Sequence, residues 1–500
     1  MVQSLFRLCI ITSTHFNVQH LQPMNIKEFR KNAHEIADWM ADYLEKVETL
    51  PVKSKVNPGE IYDKIPESPP QTGESMEDIM KDFEQVIMPG ITHWQSPNFF
   101  AYFPANSSYP SVLAEMLTAT IGAQCMIWET SPAAAELEEK VMDWLKGMIG
   151  LPEYFYGVIQ DTASTATLAA LITAREKTTG YRSNRGGLRD EKALRVYCSA
   201  ETHSSIEKAV KIAGLGKENL VKIETGYKLK LDPDKLEQAI RDDLNKGYQP
   251  MCVVATLGTT GTTAIDPLKE IGQICETHGI WLHVDAALAG TALLLPEFRW
   301  MIEGIDYVDS FVFNPHKWMF TNFDCSAYFV KNKEVLIKTF EILPEYLKTK
   351  YSGEVNDYRD WGIPLGRRFR ALKLWFVIRN FGVDGLREKI RLHISLAQWL
   401  KQAIEKNPHF ELMAPVTLNT VCFRLNPDKS MKLQKVNRLN EELLNNLNKS
   451  GKLYLTHTKI DEKYTLRMVT AQTYVTKKHV KNAWERIITT AQEIINITPE

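Results

Sequence analysis

Between residues 29 and 47 apolar side chains recur at helical spacing (Ile36, Met40, Tyr43, Leu44, Val47), which predicts an amphipathic helix. Pro51, Pro58, Pro66, Pro69 and Pro70 then impose an irregular, extended stretch, and a second helix is predicted over 76–87. Beyond residue 150 the period changes. Short apolar runs at 157–160, 195–198, 251–257, 280–287 and 311–313 alternate with helical stretches, among them about 204–213 and 233–244. The run 251–257 is apolar throughout, as expected of a parallel strand covered on both faces. Repeated β-α units of this kind imply an α/β sheet flanked by helices, with ligands gathering at the carboxyl ends of the strands. Thr260, Asp285 and Lys317 all fall at such ends, so a common cleft is expected.

A helix and a loop containing Tyr346 are expected over 331–350, and a further helix over 365–379. The latter carries the basic run Arg367-Arg368-Phe369-Arg370, read as a solvated face that its aromatic opens to subunit contact or phosphate binding. Past residue 382 the pattern becomes a helix with alternating strands (420–425, 464–469) and a last helix through Trp484 and Ile487. The chain therefore divides into 1–23, a disordered extension or upstream start; 24–108, a helical arm; 109–375, a large α/β domain; and 376–500, a small C-terminal α+β domain. The arm has too little apolar surface to stand alone, so packing on a partner subunit is expected.

Composition narrows the class. The 500 residues are 44% hydrophobic and 24% charged, ordinary for a globular chain. Sixty Lys+Arg against 61 Asp+Glu leave a net charge of -1, which gives no global argument for nucleic acid or an anionic membrane. The seven cysteines are scattered without a CxxC pair. That argues against disulfide or zinc frameworks and for a reducing cytosol. No apolar run approaches a membrane span. The sequons, Asn106-Ser107-Ser108 among them, carry little weight without secretion.

The candidate chemistry centres on Lys317. The strand ending at Phe313 stops at Asn314-Pro315, and His316 and Lys317 follow, ahead of Trp318-Met319-Phe320. A lysine at a strand end among aromatics is one whose charge burial disfavours, and such an amine is nucleophilic enough to form a Schiff base. Segment 161–167, with Ala163 and Ser164, is small and hydroxylated at a helix start. It reads either as a plain N-cap or as a phosphate cradle. The turn 258–263 is similar. The aromatic stretch 93–104, with Trp94, Tyr102 and Phe103, reads equally as core or as the wall of a pocket for a flat substrate.

Together with His203 in Thr202-His203-Ser204-Ser205, these residues resemble the fold-type I pyridoxal-phosphate enzymes, and within them the group II decarboxylases for aromatic amino acids. The resemblance runs from Met24 onward and is most specific at 93–104, 202–205, 281–287, 313–318 and 361–375. Bacterial members are most similar, through 157–166 and 360–376. It implies an aspartate-aminotransferase-like fold and pyridoxal 5'-phosphate as cofactor. Lys317 would hold the cofactor, Asp285 would pair with its ring nitrogen, and His203 would stack on its ring. Ala163, Ser164, Asn314 and His316 would contact its phosphate, with Thr260 and Ala287 near the ring. Tyr346 would be the proton donor after CO2 leaves. No metal is implied.

In related aldehyde synthases the loop tyrosine is typically phenylalanine, and in some insect ones the stacking histidine is asparagine. Tyr346 and His203 therefore favour simple decarboxylation. Some positions depart from the animal enzymes: Thr162 for serine, Ala105 for threonine, Leu288 for tyrosine. Gln124 and Met126 stand for an isoleucine and a phenylalanine that the partner subunit contributes to the substrate pocket. Gly366 stands where plant tyrosine-selective relatives carry serine, leaving room for an indole. The expected function is decarboxylation of a tyrosine-, dopa-, tryptophan- or phenylalanine-type acid by a cytoplasmic homodimer. The competing readings are an aromatic aldehyde synthase on the same fold and a cofactor-free binding protein descended from such an enzyme. A histidine or acidic amino-acid decarboxylase is a further reading within the fold.

Overall fold

A computed structural model describes residues 24–342 and 354–497. It falls into two compact units divided between His93 and Trp94. In the first, α1 (Ile26–Lys46) opens on a capping box, in which Asn25 accepts from the Glu28 backbone and the Glu28 carboxylate accepts from the Asn25 N–H. The short α2 (Met76–Asp82) follows. Trp39 stacks on Tyr43 and meets Phe83 edge-on, and no residue of α1 is buried.

The second unit contains α3 (Tyr109–Ile121), α4 (Pro132–Ile149), β1 (Tyr156–Gln160), α5 (Ala163–Thr178), the short α6 (Arg182–Gly186), β2 (Leu194–Ser199), α7 (Ser205–Ile212), β3 (Leu220–Ile223), α8 (Pro233–Asn245), β4 (Gln249–Thr256), α9 (Leu268–His278), β5 (Trp281–Asp285) and β6 (Ser310–Phe313). One helical turn, α10 (Pro315–Trp318), carries Lys317 into β7 (Ser326–Val330) and α11 (Lys333–Phe340). The seven strands pair in the order β1-β7-β6-β5-β4-β2-β3, and β7 alone runs against the others. Apart from Gln249, β4 is buried along its whole length, as its unbroken apolar run requires.

The kinked α12 (Arg370–Glu405) then leads to a four-stranded antiparallel sheet, β8 (Phe410–Leu412), β9 (Thr420–Leu425), β10 (Thr456–Ile460) and β11 (Lys463–Val469), ordered β10-β11-β9-β8. It is covered by α13 (Leu433–Lys449) and α14 (Lys477–Ile497). Gly382, at φ 66°, makes the kink in α12.

One expectation fails here. The helix expected over 365–379 starts only at Arg370, and of the basic run only Arg368 is exposed to solvent. Arg367 is buried against Glu138 at 2.5 Å, Arg370 pairs with Asp324 at 2.9 Å, and Arg368 pairs with Glu115. The Arg367 backbone N–H donates to Gln124 Oε1 (2.7 Å), and its carbonyl, which a helix begun at 365 would spend on the N–H four residues on, accepts the Cys125 N–H instead (3.0 Å). Among the described residues no helix is long and apolar enough to cross a membrane.

Candidate active site

Parallel strands end together, so residues just past β4, β5 and β6 meet the start of α5 in one place. A cavity of about 250 Å³ opens there. Ala163, Ser164, His203, Thr260, Asp285, Ala287, Asn314, His316 and Lys317 all line it, with Phe103, Thr162, Ser205, Thr256, Gly258 and Phe323. Gly258 lies at φ 86°, with a notional Cβ 2.8 Å from Ala289 Cβ, so this wall tolerates no side chain.

Each group is held by its own element. Thr162 caps α5 by accepting the Thr165 N–H, and the first intrahelical donor is Ala166. The N–H groups of Ala163 and Ser164 therefore face outward at the positive end of a sixteen-residue helix. Asn314 Oδ1 accepts from Ser326 Oγ (2.6 Å), which fixes its amide. His316 Nδ1 accepts the Cys325 N–H (3.0 Å), and burial presses its pKa down to about 3, so the ring is neutral with its proton on Nε2. His203 is held likewise: the Ser205 N–H donates to Nδ1 (3.2 Å), leaving the proton on Nε2. Partial burial lowers its pKa.

Lys317 is the desolvated, half-buried amine of the site. Desolvation lowers its pKa, Asp285 opposes that shift and Arg467 adds to it. Its Nζ lies 5.4 Å from the Phe103 ring centroid. Asp285 is buried at the end of β5 and accepts the Ala287 N–H (3.0 Å).

A second cavity, about 470 Å³, shares Phe103, His203, Thr260 and Lys317 with the first and extends to Tyr102, Gly261, Thr456, His457, Thr458 and Arg467. Arg467 donates to the carbonyls of Gly261 (3.1 Å) and Tyr102 (2.9 Å), and its Cζ lies 4.6 Å from the Phe103 centroid. Burial lowers its pKa to about 10, so it stays charged at neutral pH, and among the described residues its Nη2 has no hydrogen-bond partner. The sequence reading missed Arg467. Its signal was a lone cation inside the apolar strand Tyr464-Thr465-Leu466-Arg467-Met468-Val469.

Of the other expected residues, Tyr102 lines the second cavity, and Trp94 stands behind it, with ring centroids 5.8 Å apart. Gln124, Met126 and Gly366 line neither cavity. They gather elsewhere: a notional Cβ on Gly366 lies 3.4 Å from Gln124 Nε2, and the Met126 carbonyl accepts the Arg359 N–H (2.8 Å). Tyr346 lies outside the described residues.

The donors suit a phosphorylated, flat, electron-withdrawing aldehyde. Helix-end N–H groups, Asn314 and His316 offer neutral donors to a phosphate. The desolvated amine of Lys317 could take the aldehyde, and the buried carboxylate of Asp285 could keep a ring nitrogen protonated. This defines a pyridoxal-phosphate enzyme of mixed α/β fold. Residues 58–426 match the pyridoxal-dependent decarboxylase conserved domain, and the chain belongs to that family. It is 44% identical over 477 residues to tyrosine decarboxylase 2 of Narcissus pseudonarcissus, covering 93% of this chain and 94% of that one. It is 44% identical over 477 residues to phenylacetaldehyde synthase of Arabidopsis thaliana, covering 93% and 96%. The solved structure of Oryza sativa TDC with PLP and tryptamine superposes with a TM-score of 0.92 at 36% identity, over 95% of this chain and 99% of that one. The chain is thus a pyridoxal 5'-phosphate-dependent carboxy-lyase.

Proposed function

We propose that the enzyme converts aromatic L-amino acids of the tyrosine, dopa, tryptophan or phenylalanine type to the arylalkylamine and CO2. The observation that carries this is the continuity of the two cavities: the amine of Lys317 opens directly into a second chamber walled by Tyr102 and Phe103 and holding Arg467 Nη2, which has no partner among the described residues. An aromatic acid supplies what that chamber lacks, a ring for its aromatic wall and a carboxylate for its cation.

Bound pyridoxal phosphate supplies the electron sink for the bond broken at the α-carbon. Lys317 would hold it and yield it to the substrate amine, a task its lowered pKa favours. Asp285 would keep the ring nitrogen protonated. Ala163, Ser164, Asn314 and His316 would anchor the phosphate, and Thr260 and Ala287 would flank the ring. His203 would cover the ring face with its Nε2–H toward the reacting side, and Tyr346 would return the proton to the substrate carbon.

The proposed assembly is a cytoplasmic homodimer. On α3, Tyr109, Leu113, Met116, Leu117 and Ile121 form an exposed apolar row opposite the buried Ser111, Ala114 and Thr118. Ile363 and Leu365 are also exposed, beside the Gln124–Gly366 group. A second copy covering this face would bring Gln124, Met126 and Gly366 to its own substrate chamber. The six described cysteines are free and buried, in keeping with a reducing compartment.

The test is a product assay. Enzyme loaded with pyridoxal phosphate is given tyrosine, dopa, tryptophan, phenylalanine, histidine and glutamate. The expected result is amine without hydrogen peroxide, from aromatic acids only. A second reading, the aldehyde synthase, draws on the similarity to the Arabidopsis phenylacetaldehyde synthase. It requires aldehyde with stoichiometric peroxide, and that outcome would displace the roles given to Tyr346 and His203.

A further inference from the structure

The turn that carries Lys317 is only four residues long, Pro315–Trp318. Its internal bonds are the Lys317 N–H to the Asn314 carbonyl (2.9 Å) and the Met319 N–H to the Pro315 carbonyl (3.1 Å). A helix this short leaves the carbonyls of His316 and Lys317 without donor partners of its own. Both are taken by one residue more than 200 positions upstream. The Asn106 backbone N–H donates to the His316 carbonyl (3.1 Å), and Asn106 Nδ2 donates to the Lys317 carbonyl (2.8 Å).

The same amide reaches the opposite side. Asn106 Nδ2 also donates to the Ala471 carbonyl (2.7 Å), and Oδ1 accepts the Thr473 N–H (3.1 Å). A backbone N–H can only donate, so the amide's orientation is unambiguous and both its ends are engaged. Ala471 and Thr473 follow directly on β11, the strand that carries Arg467. Three residues before Asn106, the Phe103 ring meets both cations, Lys317 Nζ at 5.4 Å and Arg467 Cζ at 4.6 Å. Asn106 is completely buried, so it is no glycosylation site despite its sequon.

We infer that Asn106 is a positioning residue: it clamps the Lys317 turn to the end of the Arg467 strand, fixing the angle at which the lysine enters the cavity and its separation from the arginine. This rests on the proposed role of Lys317. Removing the amide frees the turn to rock, lets water reach the amine and misaligns it with a substrate held by Arg467. A displacement of about 1 Å at a reacting group costs on the order of a hundredfold in rate.

The test compares Asn106→Ala, Asn106→Asp and Asn106→Ser with Asn440→Ala. Asn440 is a matched control, equally buried, with its amide bonded to both the N–H and the carbonyl of Leu425 and to the Val436 carbonyl, far down the chain from the site. The first readout needs no cofactor. Apo-protein is labelled with an amine-reactive reagent across pH, and modification of Lys317 is followed by peptide mass spectrometry. The midpoint for Lys317 is expected to rise toward the ordinary lysine value in Asn106→Ala, and in Asn106→Asp, whose carboxylate can accept from Thr473 but not donate to either carbonyl. Asn106→Ser, with one donor left, falls between. The second readout is turnover per folded protein, with kcat down about ten- to a hundredfold and KM within about twofold. Asn440→Ala is expected to lose thermal stability and change neither readout.

If the Asn106 variants lose stability like Asn440→Ala yet keep the wild-type labelling midpoint and kcat, the inference is wrong. If Asn106→Ala does not fold, Asn106→Ser decides, and an unchanged midpoint there overturns it. Failure of the functional proposal would look different, as absence of amine product from the wild type while the labelling midpoints still separate.

Discussion

The two walls of the substrate space are built in opposite ways. The cradle around Lys317 is complete within one chain: nine expected residues from five segments converge on it, and its key groups, Asp285, Asn314, His316 and Lys317, are buried or enclosed. The group formed by Gln124, Met126 and Gly366 is held just as firmly, through the Arg367 N–H to Gln124 and the buried Glu138–Arg367 pair behind it. Yet it lines neither of the two cavities described around Lys317. The difference teaches a division of labour. Cofactor chemistry would be written into the protomer, whereas in the proposed homodimer selection of the substrate ring would be left to the assembly, where small changes at an exposed surface alter specificity without disturbing the cradle.

The strongest way to break this picture is at the cradle. Lys317→Ala is expected to lower turnover more than about a thousandfold, because nothing else there can anchor the cofactor. A cooperative thermal transition and the circular dichroism spectrum should persist, since removing a desolvated cation relieves a cost. Appreciable turnover by this variant would move the chemistry elsewhere. Next comes the outward wall. Leu113→Glu with Leu117→Glu places two charges on the exposed row of α3. Light scattering should report monomers, and turnover should fall about a hundredfold while the cradle still takes up pyridoxal phosphate. Fully active monomers would mean that each chain serves itself. A complementation experiment sharpens the point: co-expressed Lys317→Ala and Met126→Arg chains, each inactive alone, should regain turnover only if sites are shared between chains.

How much of this the sequence disclosed follows from how local each signal is. The Lys317 turn was readable because an apolar strand ended on Asn314-Pro315, a local break. The cradle residues were readable because parallel strands place their carboxyl ends together, so Thr260, Asp285 and Lys317 implied a common cleft. Arg467 was not readable as a site residue, because its partners, Gly261 and Tyr102, lie hundreds of residues upstream. Arg367 was misread for the same reason: a basic run is ordinarily solvated, and only the fold brings Glu138 to it. Asn106 reads as a sequon until its four bonds are seen.

Acid should act mainly on the cradle side. Burial holds His316 and His393 down to about 3 and His283 to about 4, and it raises Asp266 to about 6. Between about pH 6 and 4 the unfolded chain binds up to three histidine protons that the native chain refuses. The native chain in turn keeps one at Asp266 that the unfolded chain has released. The balance, about two protons, makes stability fall as pH falls, by up to about 3 kcal/mol per pH unit. Thermal unfolding of apo-protein across that range checks the sign. A flat profile would mean that these histidines are hydrated.

The smallest expected effect is the most specific. Gln124 spends its Oε1 on the Arg367 N–H, so the end it presents beside Gly366 is the Nε2 amide, a donor only. A Cβ added at Gly366 would sit 3.4 Å from that nitrogen, an ordinary contact, and Gly366 is not in the left-handed region, so Gly366→Ser should fold normally. What it changes is space and polarity at the rim that the partner's substrate would meet in the proposed homodimer. A bulky indole loses the room that the added hydroxymethyl fills, whereas the smaller phenol ring loses less. Gly366→Ser is therefore expected to lower kcat/KM for tryptophan about tenfold relative to tyrosine, a difference of the size that one small group in a pocket supplies. The cofactor absorbance and the Lys317 labelling midpoint should stay unchanged. An equal loss for both substrates would place Gly366 in general packing. No change for either would put the ring-selecting wall somewhere other than this exposed group, and the division of labour would fail at its outer half.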